Sequence, residues 1–178
     1  MPRLFTALEI PSDIALRLSM LRAPIRGAHW IAPENMHLTL RFVGDISNET
    51  ADEFAGLIAG IETAPFELSI AGLGAFGGQH PTAVYAAVKP SGALEALQRA
   101  HDRAARAAGI ETDTRTYGPP VTLARMRGAK PGPVAEFLGQ YGALVFTPFQ
   151  IERCVLLSAK PGTGGGPYAL EDAYPFEG

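Results

Sequence analysis

Apolar and polar residues alternate along several short stretches of the chain, and these alternate with stretches of helical spacing. Arg3 to Ile10 alternates and predicts a strand. Pro11 and Ser12 then open a helix with Ile14, Leu18 and Leu21 on one face, and Pro24 ends it. His29 to Ile31 reads as a short extended piece and Pro33-Glu34-Asn35 as a turn. His37 to Val43 is a strand by its period of two, with His37, Thr39 and Arg41 on one face and Leu38, Leu40 and Phe42 on the other. Ser47 caps a helix carrying Phe54, Leu57, Ile58 and Ile61. Phe66 to Ala71 is a strand, Gly72 to Gly78 a glycine-rich loop, and Thr82 to Val88 a strand. Ser91 caps a helix with Leu94, Leu97, His101, Ala104 and Ala108 on one side, and Gly109 stands just past its end. Val121 to Arg125 is a strand, Val134 to Tyr141 a helix, Phe149 to Ser158 a strand, and Tyr168 to Leu170 a last short strand.

This mixture lacks the strict alternation of a doubly wound sheet. It predicts an α+β protein with helices outside antiparallel sheets. Residues 1–178 read as a single domain, because no linker, charge block or low-complexity segment divides them. The longest Gly/Pro-rich stretch, Lys160 to Pro167, reads as a loop.

Composition narrows the classes. A net charge of −3 excludes a protein that coats nucleic acid by charge alone, so any nucleic-acid site is local. Twelve arginines stand against three lysines. Arginine suits bidentate phosphate contact, but its abundance together with Ala, Gly and Pro also fits a GC-rich genome. The single cysteine, Cys154, lies in an apolar run and forms no intramolecular disulfide. With no signal peptide and no apolar run near the ~20 residues of a membrane span, a cytoplasmic location is expected. No His/Cys/carboxylate cluster has metal-ligand spacing.

Two segments share a pattern. His37-Leu38-Thr39-Leu40-Arg41 and Pro120-Val121-Thr122-Leu123-Ala124-Arg125 each place an apolar-Thr-Leu step in a strand, with Thr39 and Thr122 83 positions apart. Two similar lobes, each an antiparallel sheet with outer helices, facing across a central groove, are expected from this spacing. In a strand, positions i and i+2 share a face, so His37 projects with Thr39, and position 120 with Thr122.

The segment HLTLRFVG, His37 to Gly44, resembles the first H-x-T motif of the RNA 2',3'-cyclic phosphodiesterase (2'-5' RNA ligase-like) family of two-histidine phosphoesterases. The resemblance runs nearly end to end. It includes Arg3 to Leu8, Trp30 with Pro33-Glu34-Asn35-Met36, Ala75-Phe76-Gly77, Val84-Tyr85-Ala86, and Ser158 with Gly166-Pro167-Tyr168. The family's second motif is H-x-T-L, preceded by proline and followed closely by arginine. Here Pro119, Thr122, Leu123 and Arg125 are present, and Pro120 stands where the histidine would be.

The resemblance implies hydrolysis of terminal RNA 2',3'-cyclic phosphates to 2'-phosphates, without metal or cofactor, by a monomer with no obligate protein partner. A weak reverse joining of RNA ends through 2'-5' linkages is implied as well. Two imidazoles would share the roles of base and acid. Thr39 and Thr122 would bind phosphate oxygens, and Arg125 would neutralise developing charge. Proline offers no titratable group and no N–H. Two further readings stay open: a disabled binder of RNA ends or phosphate, and a phosphodiesterase for small cyclic nucleotides. Among the other histidines, His101 reads as a packed core residue, His80 as exposed in a loop, and His29 as near the cleft mouth. Trp30 reads either as core or, like Tyr85, as a surface on which a base stacks.

Overall fold

The computed structural model describes residues 3–111, 120–159 and 167–177. Tyr117, Gly118 and Pro119 of the second motif, and the 160–166 part of the expected loop, lie outside them.

Four helices accompany ten strands among the described residues. In chain order these are β1 (Arg3–Glu9), α1 (Ser12–Ser19), β2 (Ala28–Trp30), β3 (His37–Gly44), α2 (Asn48–Ala59), β4 (Phe66–Leu68), β5 (Ile70–Phe76), β6 (Ala83–Val88), α3 (Gly92–Ala107), β7 (Pro120–Met126), α4 (Pro131–Tyr141), β8 (Phe149–Ile151), β9 (Arg153–Ala159) and β10 (Tyr168–Pro175). Pro33–Asn35 forms a short 3₁₀ turn before β3. One antiparallel sheet runs β10-β9-β1-β3-β7-β6-β5, with β2 added beside β7; β4 and β8 pair separately. The fold is α+β, as the mixed periodicities imply.

The two motif strands meet in the middle of this sheet. β3 and β7 share one registered pair, Leu38 with Val121. Each half of the sheet is antiparallel on its own side of that junction: β10-β9-β1-β3 and β7-β6-β5.

Local chemistry explains the helix starts. Ser47 Oγ accepts from the Thr50 amide, and Ser91 Oγ accepts from the Leu94 amide, so both predicted N-caps form. Pro131 opens α4, where its missing N–H costs nothing. Gly109 follows α3 with φ +79, a backbone state that glycine enters freely.

Three expectations are corrected. The supposed Gly72–Gly78 loop is mostly strand, because β5 runs to Phe76 and pairs with β6. Its glycines serve a bulge at Gly72 (φ +91) and a tight packing at Gly74 instead of a turn. The strand expected over Phe149–Ser158 breaks at Glu152, and its two pieces join different sheets. The third correction is the face of Arg41. A bulge at Leu40 shifts the β1–β3 register between Thr6/Arg41 and Ala7/Thr39. Leu40 and Arg41 are therefore both buried, and the alternation resumes with Phe42 on the face of Thr39. Arg41 points the other way, 4% exposed, with its Nε 3.0 Å from Asp102 Oδ1 on α3. Its Nη1 and Nη2 donate to the carbonyls of Phe42 and Glu111.

On that same inner face His101 is fully buried, as its helical position implies. Its Nδ1 is 2.9 Å from Thr6 Oγ1, and Cys154 Sγ lies 3.8 Å from its Nε2. Burial pushes the Cys154 thiol up to about 12, so the S–H donates to Nε2 and the imidazole N–H donates to Thr6. Burial also lowers the His101 pKa to about 4. Because the folded value lies below the ordinary 6.5, this stabilisation is fully present above pH 6.5 and is lost as pH falls toward 4. It amounts to at most about 3 kcal/mol. Urea midpoints measured between pH 7.5 and 4.5 are expected to fall more steeply for the native chain than for His101→Gln. Equal slopes for the two proteins would remove His101 as the cause.

Candidate active site

Leu38 and Val121 are both fully buried. Their neighbours in each strand therefore project from the opposite face of the sheet, which places His37, Thr39, Pro120 and Thr122 together. All four are half-buried. Arg125 joins them through a second bulge. The β6–β7 register shifts between Val84/Ala124 and Tyr85/Thr122, leaving Leu123 as the extra residue. Leu123 and Ala124 are both buried, and Arg125 returns to the face of Thr122. The structure thus collects every residue that the motifs nominate.

His37 is held from behind. Its Nδ1 lies 2.8 Å from the Asn35 carbonyl oxygen at the end of the 3₁₀ turn. A carbonyl only accepts, so Nδ1 carries the hydrogen and Nε2 carries the free lone pair. The ring packs at 5.0 Å from Phe5 and, edge-on, at 5.0 Å from Tyr168. Phe5 also touches Phe42 and Tyr168, so an aromatic cluster supports the imidazole. Desolvation in this cluster lowers the His37 pKa; the Asn35 hydrogen bond opposes the shift and the Arg125 charge adds to it.

Arg125 also reaches Tyr168. Burial raises the pKa of the Tyr168 phenol, while its hydrogen bond with the Arg125 guanidinium and that side chain's charge pull the other way. Tyr168 thereby links β10 to β7 across the junction. In the sequence Tyr168 stands as the start of the last short strand and within the resemblance of the C-terminal segment, without a role at the site. Its alternation, with Tyr168 and Leu170 on one face, carries the signal that could have found it. Asn35 acts through its main chain, which no side-chain pattern reveals.

Other nominated residues fall elsewhere. Trp30 packs edge-on against Phe137 of α4, so it belongs to the core. His29 pairs across from Arg125 and is exposed at the rim. His80 lies exposed in the turn between β5 and β6. Ser158 is buried and donates to Glu171 Oε1 at 2.6 Å, tying β9 to β10. Among the described residues no group of three His, Cys, Asp or Glu side chains could hold a metal ion. No helix among them is long and apolar enough to cross a membrane.

A histidine titration followed by NMR is expected to place His37 below 6.5, with Nδ1 protonated in the neutral form. Arg125→Gln should move its pKa upward by removing the adjacent positive charge. A His37 pKa at or above 6.5 would contradict this environment.

Comparison with known proteins agrees with this geometry. The family described as LigT like Phosphoesterase matches residues 8–85, which include the first motif strand. An RNA 2',3'-cyclic phosphodiesterase of Aeropyrum pernix is 36% identical over 124 residues, spanning 64% of this chain and 68% of that protein. The crystal structure of Thermus thermophilus TT0787 has a TM-score of 0.81 at 22% identity, covering 98% of this chain and 97% of that one. Escherichia coli LigT complexed with 3'-AMP has a TM-score of 0.77 at 21% identity, covering 99% of each chain. The motif strands, their order in the sheet and the relatives agree, and the chain belongs to the LigT-like phosphoesterase family.

Proposed function

We propose that this protein opens terminal RNA 2',3'-cyclic phosphates to 2'-phosphates, slowly, through a metal-free site with one imidazole. The observation that carries this reading is the shared face of His37, Thr39, Thr122 and Arg125 at the β3–β7 junction. The name of the Aeropyrum pernix relative supports the substrate class.

In the proposed reaction the cyclic phosphate sits between the two threonines, whose hydroxyls donate to its oxygens. Neutral His37 takes a proton at Nε2 from a water that attacks phosphorus. The bond from phosphorus to the 3' oxygen breaks, and the 2'-phosphate remains on the ribose. Arg125 compensates charge on the phosphoryl oxygens in a half-buried site, where the attraction exceeds that in water. The lowered His37 pKa keeps the base neutral as pH falls below 6.5, down to its own value.

Position 120 is where the departing 3' oxygen would find its proton. Pro120 has none to give, so that proton comes from solvent. The loss of one arm of acid–base catalysis is worth about 10²- to 10⁴-fold. Proline fits the fold here because it is the first residue of β7, where a missing N–H is tolerated. The same feature supports a second reading, an RNA-end or phosphate binder without turnover.

A short RNA ending in a 2',3'-cyclic phosphate distinguishes them. The native chain is expected to hydrolyse it slowly, Pro120→His to gain about 10²-fold or more, and His37→Ala to abolish turnover. An inert native chain with an active Pro120→His variant would establish the binder. Failure of both to cleave RNA, with turnover of a free cyclic mononucleotide, would replace RNA by small phosphodiesters as the substrate.

A further inference from the structure

The helix-packed face of the sheet, away from the site, holds an ion pair that no step of the proposed reaction uses. Thr6 of β1 and Arg41 of β3 are directly opposed, and both are buried on that face. Consecutive residues of α3 hold them. His101 Nδ1 lies 2.9 Å from Thr6 Oγ1, and Asp102 Oδ1 lies 3.0 Å from Arg41 Nε. The carboxylate meets Nε off its hydrogen-bond axis, so it acts there through its charge.

The grip falls where the strand is weakest. The β1–β3 ladder shifts register on both sides of Arg41-Phe42, leaving Leu40 and Val43 as extra residues. No continuous ladder therefore holds this two-residue piece in place. Each of the two side chains, taken singly, favours a strand without the bulge at Leu40. A guanidinium is costly to take out of water, and strict alternation would return Arg41 to the half-buried face of Thr39. Phe42 is 49% exposed, and strict alternation would bury it. Three acceptors around the guanidinium oppose both preferences: the Asp102 carboxylate, the Phe42 carbonyl at 3.1 Å and the Glu111 carbonyl.

We infer that Arg41 and Asp102 are positioning residues for the active site: by drawing Arg41 inward, the pair keeps the bulge at Leu40 and so holds Phe42 in the ring cluster that supports His37. Neither residue touches substrate. Phe42 stacks on Phe5 with 5.7 Å between centroids, and Phe5 lies 5.0 Å from the His37 ring. The line of action runs from a carboxylate on α3, through the register of β3, to the imidazole on the opposite face. Fixing register is the best-attested use of a buried ionic group, whose net gain in stability is small. The inference rests on the site proposed above only for the role of His37.

NMR reads the two ends of this line, through the nuclear Overhauser contact between the Phe5 and Phe42 rings and the titration of His37. Replacing a buried ion pair by apolar side chains of similar volume leaves a fold as stable or more so. The Arg41→Met, Asp102→Leu double variant is therefore expected to keep its urea midpoint, to lose the Phe5–Phe42 contact, and to raise the His37 pKa toward 6.5 as the ring becomes hydrated. Arg106→Ala removes the exposed partner of Asp102 at 3.9 Å and is expected to leave both readings native. A folded double variant with the native ring contact and the native His37 titration would overturn the inference. If the double variant does not fold, Asp102→Asn, which removes the charge and keeps the shape, decides by the same contact: its loss supports the pair as the register device, and its retention ends the idea. These readings do not involve turnover. A chain that cleaves no cyclic phosphate but loses the contact as expected keeps the positioning pair and loses only the proposed reaction.

Discussion

The site depends on a pair of matched irregularities in two antiparallel strands. β3 and β7 each contain a bulge, at Leu40 and Leu123, in the same place relative to the threonine of the motif. Without a bulge, strict alternation would put Arg41 and Ala124 on the face of the two threonines and send Phe42 and Arg125 into the core. With it, two consecutive side chains are buried and the third returns to the site. Burial of Leu38 and Val121 at the single registered contact then fixes the two strands against each other.

The same bulges assign different chemistry to equivalent positions. On β3 the returning residue is Phe42, which stacks on Phe5 and so supports the ring of His37. On β7 it is Arg125, whose charge lowers the His37 pKa and reaches Tyr168. One strand supplies a desolvated imidazole with Nδ1 committed to a backbone carbonyl, and the other supplies positive charge. The symmetry of the backbone therefore carries an asymmetric site. Pro120 extends the asymmetry, because β7 starts with a residue that has no titratable group while β3 starts with His37.

The two faces of the sheet separate two uses of histidine. His101 lies on the helix-packed face, with both ring nitrogens occupied by Thr6 and Cys154. His37 lies on the other face, with one nitrogen committed to a backbone carbonyl. Both have lowered pKa values through burial, so the direction of the shift does not tell them apart. What tells them apart is the free nitrogen and the threonines and arginine beside it.

Much of this was legible in the linear chain. The motif His37-Leu38-Thr39-Leu40 and its partial copy at Pro120 to Arg125 nominated the candidate residues, because a period of two places i and i+2 together regardless of the rest of the fold. Ser47 and Ser91 announced their helices, because capping is a local hydrogen bond. Tertiary structure decided what local periodicity cannot. A bulge looks like ordinary strand sequence, so the true faces of Arg41 and Phe42 emerged only from the pairing of β3 with β1. The glycines of β5 resembled a loop until Tyr85 was seen lying across Gly74. The orientation of His37 came from a main-chain carbonyl and the proximity of Tyr168 from a distant strand, and neither is encoded in the spacing of side chains. The sequence by itself determined which residues the two motifs nominate; cross-strand register decided where they point, because register is a relation between segments and not a property of any one of them.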